Sequence, residues 1–124
     1  MANQQATGIK RLINAFRYSI KGFKAAWQNE EAFRQECVAA LVMLPAAIWL
    51  GQTVEQQALL ILSFLLVPLT ELMNSAVEAI VDRVGTEHHE LSGRAKDVAS
   101  AAVMLSMMMV CVVWGLIIAD QFFH

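Results

Sequence analysis

Apolar positions along this chain either recur at helical spacing or fill long uninterrupted runs, and they mark out four segments. In the first, residues 9–27, Ile9, Leu12, Ile13, Phe16, Ile20, Phe23 and Trp27 fall within roughly 100° of arc on a helical projection. Lys10, Arg17, Lys21 and Lys24 line one flank of that stripe. A single apolar face with basic neighbours and a terminal Trp describes a helix lying flat in the membrane interface under anionic headgroups. The surface helix of a water-soluble domain is the alternative, and the rest of the chain disfavours it. The polar opening, residues 1–7, is expected to fray.

A polar bridge, QNEEAFRQE at 28–36, leads into an apolar run at 37–50 with Pro45 inside it and Gly51 after it. Alone that run is short of the about 20 residues a span needs. It becomes adequate if the helix starts at Glu30 or Glu31, so a span over 31–50 is expected, kinked at Pro45 as membrane bundles tolerate. A polar turn without Lys or Arg follows at 51–57. The second span is expected over 55–82. It includes a charge-free run at 58–70 and ends before Gly85, which suits a helix C-cap. A polar loop, GTEHHELSGRAKD at 85–97, contains Ser92 as a candidate N-cap. The third span is expected over 94–119, charge-free from Val98 onward. Met104, Met107, Met108 and Met109 read as packing residues there. The predicted fold is an all-α membrane protein, a single domain over 1–124 with an interfacial helix at 9–27 and three transmembrane helices.

One stretch breaks the apolar pattern without breaking the helix. Residues 71–83 read ELMNSAVEAIVDR. Glu71, Asn74, Ser75, Glu78 and Asp82 fall within about 100° on one side of that helix. Ionisable groups at membrane depth are expensive unless they face a bundle interior, a partner or water. Three acids on one stripe therefore point to a functional site in or near the membrane.

Composition agrees. Of 124 residues 57% are hydrophobic, above the usual globular share. No internal repeat divides the chain, and no secretory signal pattern opens it. The net charge of −2 hides a strong segregation. Lys10, Arg11, Arg17, Lys21, Lys24 and Arg34 precede the first span, and Arg83, Arg94 and Lys96 lie between the second and third, which accounts for all nine basic residues. The positive-inside rule then places the N-terminal helix and the 82–97 loop in the cytoplasm, with the Gly51 turn and the C-terminus outside. Nothing in this distribution suggests nucleic acid as a partner. Cys37 and Cys111 sit singly in apolar runs without metal-ligand spacing and read as buried small hydrophobes.

With this topology Glu71, Glu78 and Glu30 gather toward the cytosolic face, Glu71 roughly 16 Å along the axis from Asp82. Hard carboxylate oxygens suit Mg²⁺, which binds through one or two carboxylates plus substrate phosphates. His88 and His89 are adjacent and make poor joint ligands. There is no G-x-x-x-x-G-K-[ST], no G-x-G-x-x-G and no G-x-S-x-G, which excludes a P-loop, a Rossmann turn and a serine-hydrolase elbow.

Three segments, AAWQNEEAFRQE, ELMNSAVEAIVDR and HELSGRAKDVASAAV, closely resemble the bacterial integral-membrane diacylglycerol kinases, and the resemblance runs over nearly the whole length. It implies a homotrimer of three-span subunits in the bacterial inner membrane, with the C-terminus periplasmic, that phosphorylates diacylglycerol with MgATP to give phosphatidic acid. It implies Glu71 as general base, Glu30 and Glu78 as acids holding the metal that bridges the ATP phosphates, and Asn74 as a residue that orients the site. Lys96 and Asp97 match nucleotide-contacting positions, and Glu87, His88 and His89 lie in a loop the family uses around the nucleotide. At His88 relatives often carry an aromatic residue, a departure from the pattern. Arg11, Tyr18, Ser19, Trp27 and Gln35 match positions that touch ATP or lipid, and Ser100 and Trp114 match positions near the lipid.

Plainer readings compete. Glu30 and Glu31 could complement a helix N-terminus, the Asp82–Arg83 and Arg94–Asp97 neighbours could be solvated pairs, and Trp114 could be an interface anchor. Asp82 reads as structural. Among functions, an undecaprenol kinase of the same family remains open. So does a small proton- or cation-coupled transporter using Glu71 and Glu78, which would need no nucleotide. A membrane adaptor would leave the intramembrane acids without a role.

Overall fold

The computed structural model describes residues 7–85 and 87–123, and all the regular structure among them is helical. The polar opening, apart from Thr7, lies outside the described residues. Helix α1 covers Gly8–Asn29, α2 Glu31–Leu50, α3 Val54–Val84 and α4 Glu90–Phe123. The last three are each long and apolar enough to cross a membrane.

Helix α1 keeps its amphipathic face uncovered: Leu12 and Phe16 are each 70% exposed, as an interfacial helix requires. It ends at Glu30, whose extended backbone (φ −120°, ψ 107°) both closes α1 and opens α2. The Glu30 N–H donates to the Ala26 carbonyl at 2.9 Å, and its own carbonyl accepts from Arg34 N–H at 3.2 Å. No basic residue occupies the last turn of α1. Arg34 of α2 supplies one from across the hinge, donating to the carbonyls of Trp27 at 2.7 Å and Gln28 at 3.3 Å. Those carbonyls would otherwise lack partners at a helix C-terminus. A single residue thus connects the surface helix to the first span.

At the other end of α2 the chain reverses within residues 51–53. The turn is stapled by glutamines. Gln57 Nε2 donates to the Ile48 carbonyl at 2.9 Å, Gln52 N–H donates to Gln56 Oε1 at 2.9 Å, and Gln121 Nε2 of α4 reaches the Leu50 carbonyl. Thr53 caps α3 by accepting from Gln56 N–H at 3.1 Å. A Cβ on Gly51 would lie less than 3 Å from the backbone N and Cα of Gln57, so only glycine permits this close approach. Pro45 and Pro68 sit inside α2 and α3 without ending them.

Helix α3 packs against both α2 and α4. Its antiparallel register with α4 is set by three polar contacts: Trp114 Nε1 to the Leu60 carbonyl at 3.1 Å, Thr70 to Ser106 at 2.9 Å, and Lys96 to Asp82 at 2.8 Å. The tightest apolar packing lies beside the 51–53 turn, where Ala47, Leu60 and Ile117 form a buried cluster flanked by Leu50, Ile61, Val113 and Trp114. Elsewhere large apolar side chains point outward, Trp49 at 83% exposure and Leu116 at 67%. Lipid tails are as apolar as leucine, so this surface carries no penalty in a bilayer.

Several expectations change. Helix α4 begins at Glu90, not at 94, and Ser92 lies inside it. His89 takes the capping role, its Nδ1 accepting from Leu91 N–H at 3.1 Å and its carbonyl from Gly93 N–H at 2.9 Å. Helical spacing is the signal: Leu91, Ala95, Val98 and Ala99 share a face bordering Val77 of α3, so the apolar stripe of α4 starts before 94, although Leu91 and Val98 stay exposed on the single chain. Gly85 does close α3, accepting no left-handed geometry but an extended one (φ 177°), with its N–H on the Val81 carbonyl. Asp82 pairs with Lys96 across the two helices, not with Arg83 beside it. Cys111 is exposed on the chain and Cys37 is half-buried, so neither is fully enclosed.

Candidate functional site

Glu71 is buried, 8% exposed, in the middle of a helix that carries no charge from Gln56 to Thr70. Its electrostatic neighbours are Glu30 of the hinge and Glu78 of its own helix, and it acts in turn on Glu36 of α2. Four carboxylates from two helices and the hinge thus share one region of the bundle. Asn74 stands between two of them, its Nδ2 donating to Glu78 Oε1 at 3.2 Å. The other side of that amide, Asn74 Oδ1, is buried without a partner, as are Ser75 Oγ and Glu36 Oε1. Buried polar atoms without partners are uncommon in finished structures, and they mark places where a ligand or ion completes the bonding.

Two hollows flank the acids. One is an apolar groove of about 780 Å³ between α1, α2 and α3, with Trp27, Phe33, Cys37, Leu65 and Pro68 in its wall and Glu36 as its carboxylate. The other, about 570 Å³, lies between α1 and α3 and contains Ser19, Glu30 and Ser75. Leu72, the residue after Glu71, lines both. A third and smaller hollow, about 260 Å³, sits at the loop end among Asp82, Glu87, His88, His89 and Lys96. An apolar groove, a buried acid cluster and a polar loop pocket therefore follow one another along α3.

Among the described residues no three His, Cys, Asp or Glu side chains converge on one metal position. The acids still fit a hard divalent cation of the kind that takes one or two carboxylates and completes its shell with phosphate oxygens and water. Glu30 makes no side-chain capping bond to α2 although it occupies the cap position, so its carboxylate is not spent on the helix terminus. Glu78 has one oxygen held by Asn74, an outer contact of the sort that orients a metal ligand.

The structure brings together only some of the residues singled out from the sequence. Glu30, Glu71, Asn74 and Glu78 form one cluster, and Glu87, His88, His89 and Lys96 form another. Trp27 and Ser19 line the hollows beside the acids, although the Ser19 hydroxyl donates to the Ala15 carbonyl at 2.9 Å. Arg11 and Gln35 are exposed on α1 and α2, Tyr18 is half-buried beneath Lys21, and Asp97 and Ser100 are exposed on α4. Trp114 lies apart, its indole N–H on the Leu60 carbonyl within the apolar cluster; Leu60 is eleven residues from Glu71, about 16 Å along the helix. Lys96 is paired with Asp82. Sequence reasoning gave no role to Glu36. The signal was there: Glu36 follows Phe33 by three residues and precedes Ala40 by four, which puts a carboxylate on an apolar face.

Comparison with known proteins agrees with this arrangement. Residues 17–118 match the family model for prokaryotic diacylglycerol kinase. A protein of Haemophilus influenzae named diacylglycerol kinase is 51% identical over 111 residues, covering 90% of this chain and 94% of its own. Those of Escherichia coli K12 and Pseudomonas aeruginosa, with the same name, are 49% identical over 98% of this chain and 45% identical over 90% of it.

Proposed function

Because the chain belongs to the prokaryotic diacylglycerol kinase family, we propose that it transfers the γ-phosphoryl group of MgATP to the primary hydroxyl of diacylglycerol, giving phosphatidic acid. The observation that carries this reading is the position of the buried Glu71, next to a residue that lines both an apolar groove and an acid-bearing hollow. A lipid hydroxyl and a polyanionic nucleotide need to meet at such a boundary.

In this reading the apolar groove takes the upper part of the acyl chains, and Trp27 and Phe33 exclude water from them. Glu71 accepts the proton of the hydroxyl as it attacks phosphorus. Its burial keeps bulk water from competing for the same phosphoryl group. Glu30 and Glu78 would hold Mg²⁺, whose charge offsets that of the β- and γ-phosphates. Asn74 fixes Glu78 from one side. Lys96, with Glu87, His88 and His89 around it, receives the phosphate chain, and the bond from Lys96 to Asp82 gives way to that stronger anion. Phosphoryl transfer of this kind depends on positioning and electrostatics more than on covalent chemistry. Three spans enclose little volume, and large apolar surfaces stay uncovered on the single chain. We therefore place the working enzyme in the inner membrane as a homotrimer with sites shared between subunits, its α1 and the α3–α4 loop in the cytoplasm.

The test is phosphate transfer from ATP to a short-chain diacylglycerol in detergent micelles, wild type beside Glu71→Gln, with and without Mg²⁺, and with undecaprenol as a second acceptor. Mg²⁺-dependent phosphatidic acid formation that disappears in Glu71→Gln supports the reading. Turnover on undecaprenol alone moves the acceptor, and no ATP consumption by folded protein with either lipid overturns the kinase.

A further inference from the structure

Glu71 lies toward the hinge, with Glu30 among its neighbours, whereas the residue before it meets α4. Thr70 Oγ1 lies 2.9 Å from Ser106 Oγ of α4, and Ser106 is buried. Thr70 Oγ1 also lies 2.9 Å from the Val67 carbonyl, and Ser106 Oγ lies 2.7 Å from the Val103 carbonyl. Two hydroxyl hydrogens serve these three contacts, so when Ser106 donates to Val103, Thr70 donates either to Ser106 or to Val67. Within α3 the Val67 carbonyl is the i−4 acceptor for the backbone N–H of Glu71. When Ser106 instead donates to Thr70, Thr70 donates to Val67, and the hydroxyl pair is then bonded to the carbonyl that accepts from the Glu71 backbone.

Pro68 makes this contact consequential. It has no N–H, so α3 loses the bond that would tie residue 68 to the Phe64 carbonyl. The helix is least restrained about its own axis in the turn that leads into Glu71. Thr70 and Ser106 supply an external restraint there. A hydroxyl pair between helices in a bilayer contributes little to the stability of a bundle, and the buried packing of this one lies elsewhere, around Leu60. Its effect is on orientation: successive residues differ by about 100°, so a bond that fixes Thr70 against α4 fixes the direction of Glu71.

We propose that Thr70 and Ser106 are positioning residues for phosphoryl transfer, a hydrogen-bonded pair that sets the rotation of α3 and so the placement of the Glu71 carboxylate against the lipid hydroxyl. The inference rests on Glu71 being the base. The pair touches neither substrate.

The experiment measures two products from the same purified protein in micelles with MgATP and short-chain diacylglycerol: phosphatidic acid, and inorganic phosphate from transfer to water. Loss of folded protein lowers both alike, whereas a displaced base changes their ratio. Thr70→Val and Ser106→Ala are each expected to lower lipid transfer about tenfold, within the range that small misplacements of a reacting group produce, while raising the ratio of water to lipid transfer. The double variant should be no worse than either single one. Thr70→Ser, which keeps the hydroxyl, should restore the wild-type ratio. Ser63→Ala, which removes a buried α3 hydroxyl bonded only to its own helix, should leave the ratio unchanged. Should Thr70→Val not fold, Ser106→Ala and Thr70→Ser carry the test. A wild-type ratio in Ser106→Ala overturns the proposal, and if Glu71→Gln is inactive in the same assay, it does so while leaving Glu71 as the base. Lipid transfer retained by Glu71→Gln overturns both.

Discussion

Leu60→Ala should separate stability from activity in this protein. Leu60 is completely buried, packed with Ala47 and Ile117 beside the 51–53 turn. In a water-soluble core such a truncation costs about 2.7 to 5.0 kcal/mol, part from lost transfer out of water and part from the cavity. Here the first part nearly cancels, because the disrupted bundle leaves Leu60 in lipid or detergent, which is as apolar as its native site. What remains is a cavity of about 80 Å³, and at about 24 cal/mol per Å³ that is about 2 kcal/mol. The Trp114 bond survives, since it uses the Leu60 carbonyl. Titration of the micellar protein with a denaturing detergent, followed by Trp fluorescence, should report a roughly thirtyfold shift in the unfolding equilibrium. Turnover per folded molecule should hold, because the cavity lies about 16 Å along the helix from Glu71. A loss above about 4 kcal/mol would show that water, not lipid, is the reference state for this core. No loss would show that the cluster is not packed as described.

Other substitutions probe the remaining elements. Gly51→Ala forces a Cβ against the Gln57 backbone and should destabilise by about 1 to 3 kcal/mol in the same titration, with Michaelis constants unchanged. Glu36→Gln replaces the carboxyl group of the apolar groove with an amide and should lower kcat/KM for the lipid about tenfold, the worth of one hydrogen bond, while the KM for MgATP holds. Glu78→Gln should shift the Mg²⁺ dependence of turnover to higher concentration, and chelation should abolish the wild-type activity reversibly. Assemblies mixed from Glu71→Gln and Glu78→Gln subunits should regain part of the activity if sites are shared between subunits; complete absence of rescue would confine each site to one chain.

Much of this architecture was legible because it is written in periodicity. The amphipathic α1 and the acidic face of α3 follow from spacing, and the start of α2 at Glu31 from the length a span needs. The start of α4 was not, because Ser92, Gly93 and Arg94 look like loop until Leu91 and Ala95 are seen to share a face with Val98. Pairing across helices was hidden as well. Asp82 has Arg83 as its sequence neighbour, yet adjacent residues on a helix point about 100° apart, and the partner that the α3–α4 register delivers is Lys96. Ser106, one hydroxyl in a run of methionines, means nothing until that register sets it opposite Thr70.

The distribution of packing along the bundle has a mechanical consequence. Beside the 51–53 turn, side-chain amides staple the helix ends together and the apolar cluster is dense. Toward the loop end three hollows lie along α3, and buried side-chain polar atoms without partners belong to Glu36, Asn74 and Ser75. A site that must admit a lipid from the side and a nucleotide from the surface cannot also be tightly filled, so rigidity has to come from somewhere else. The stapled end supplies it for the bundle as a whole. Between the two ends, Pro68 weakens α3 and the Thr70–Ser106 bond restrains it again, which leaves the helix open beside the hollows and restrained next to Glu71.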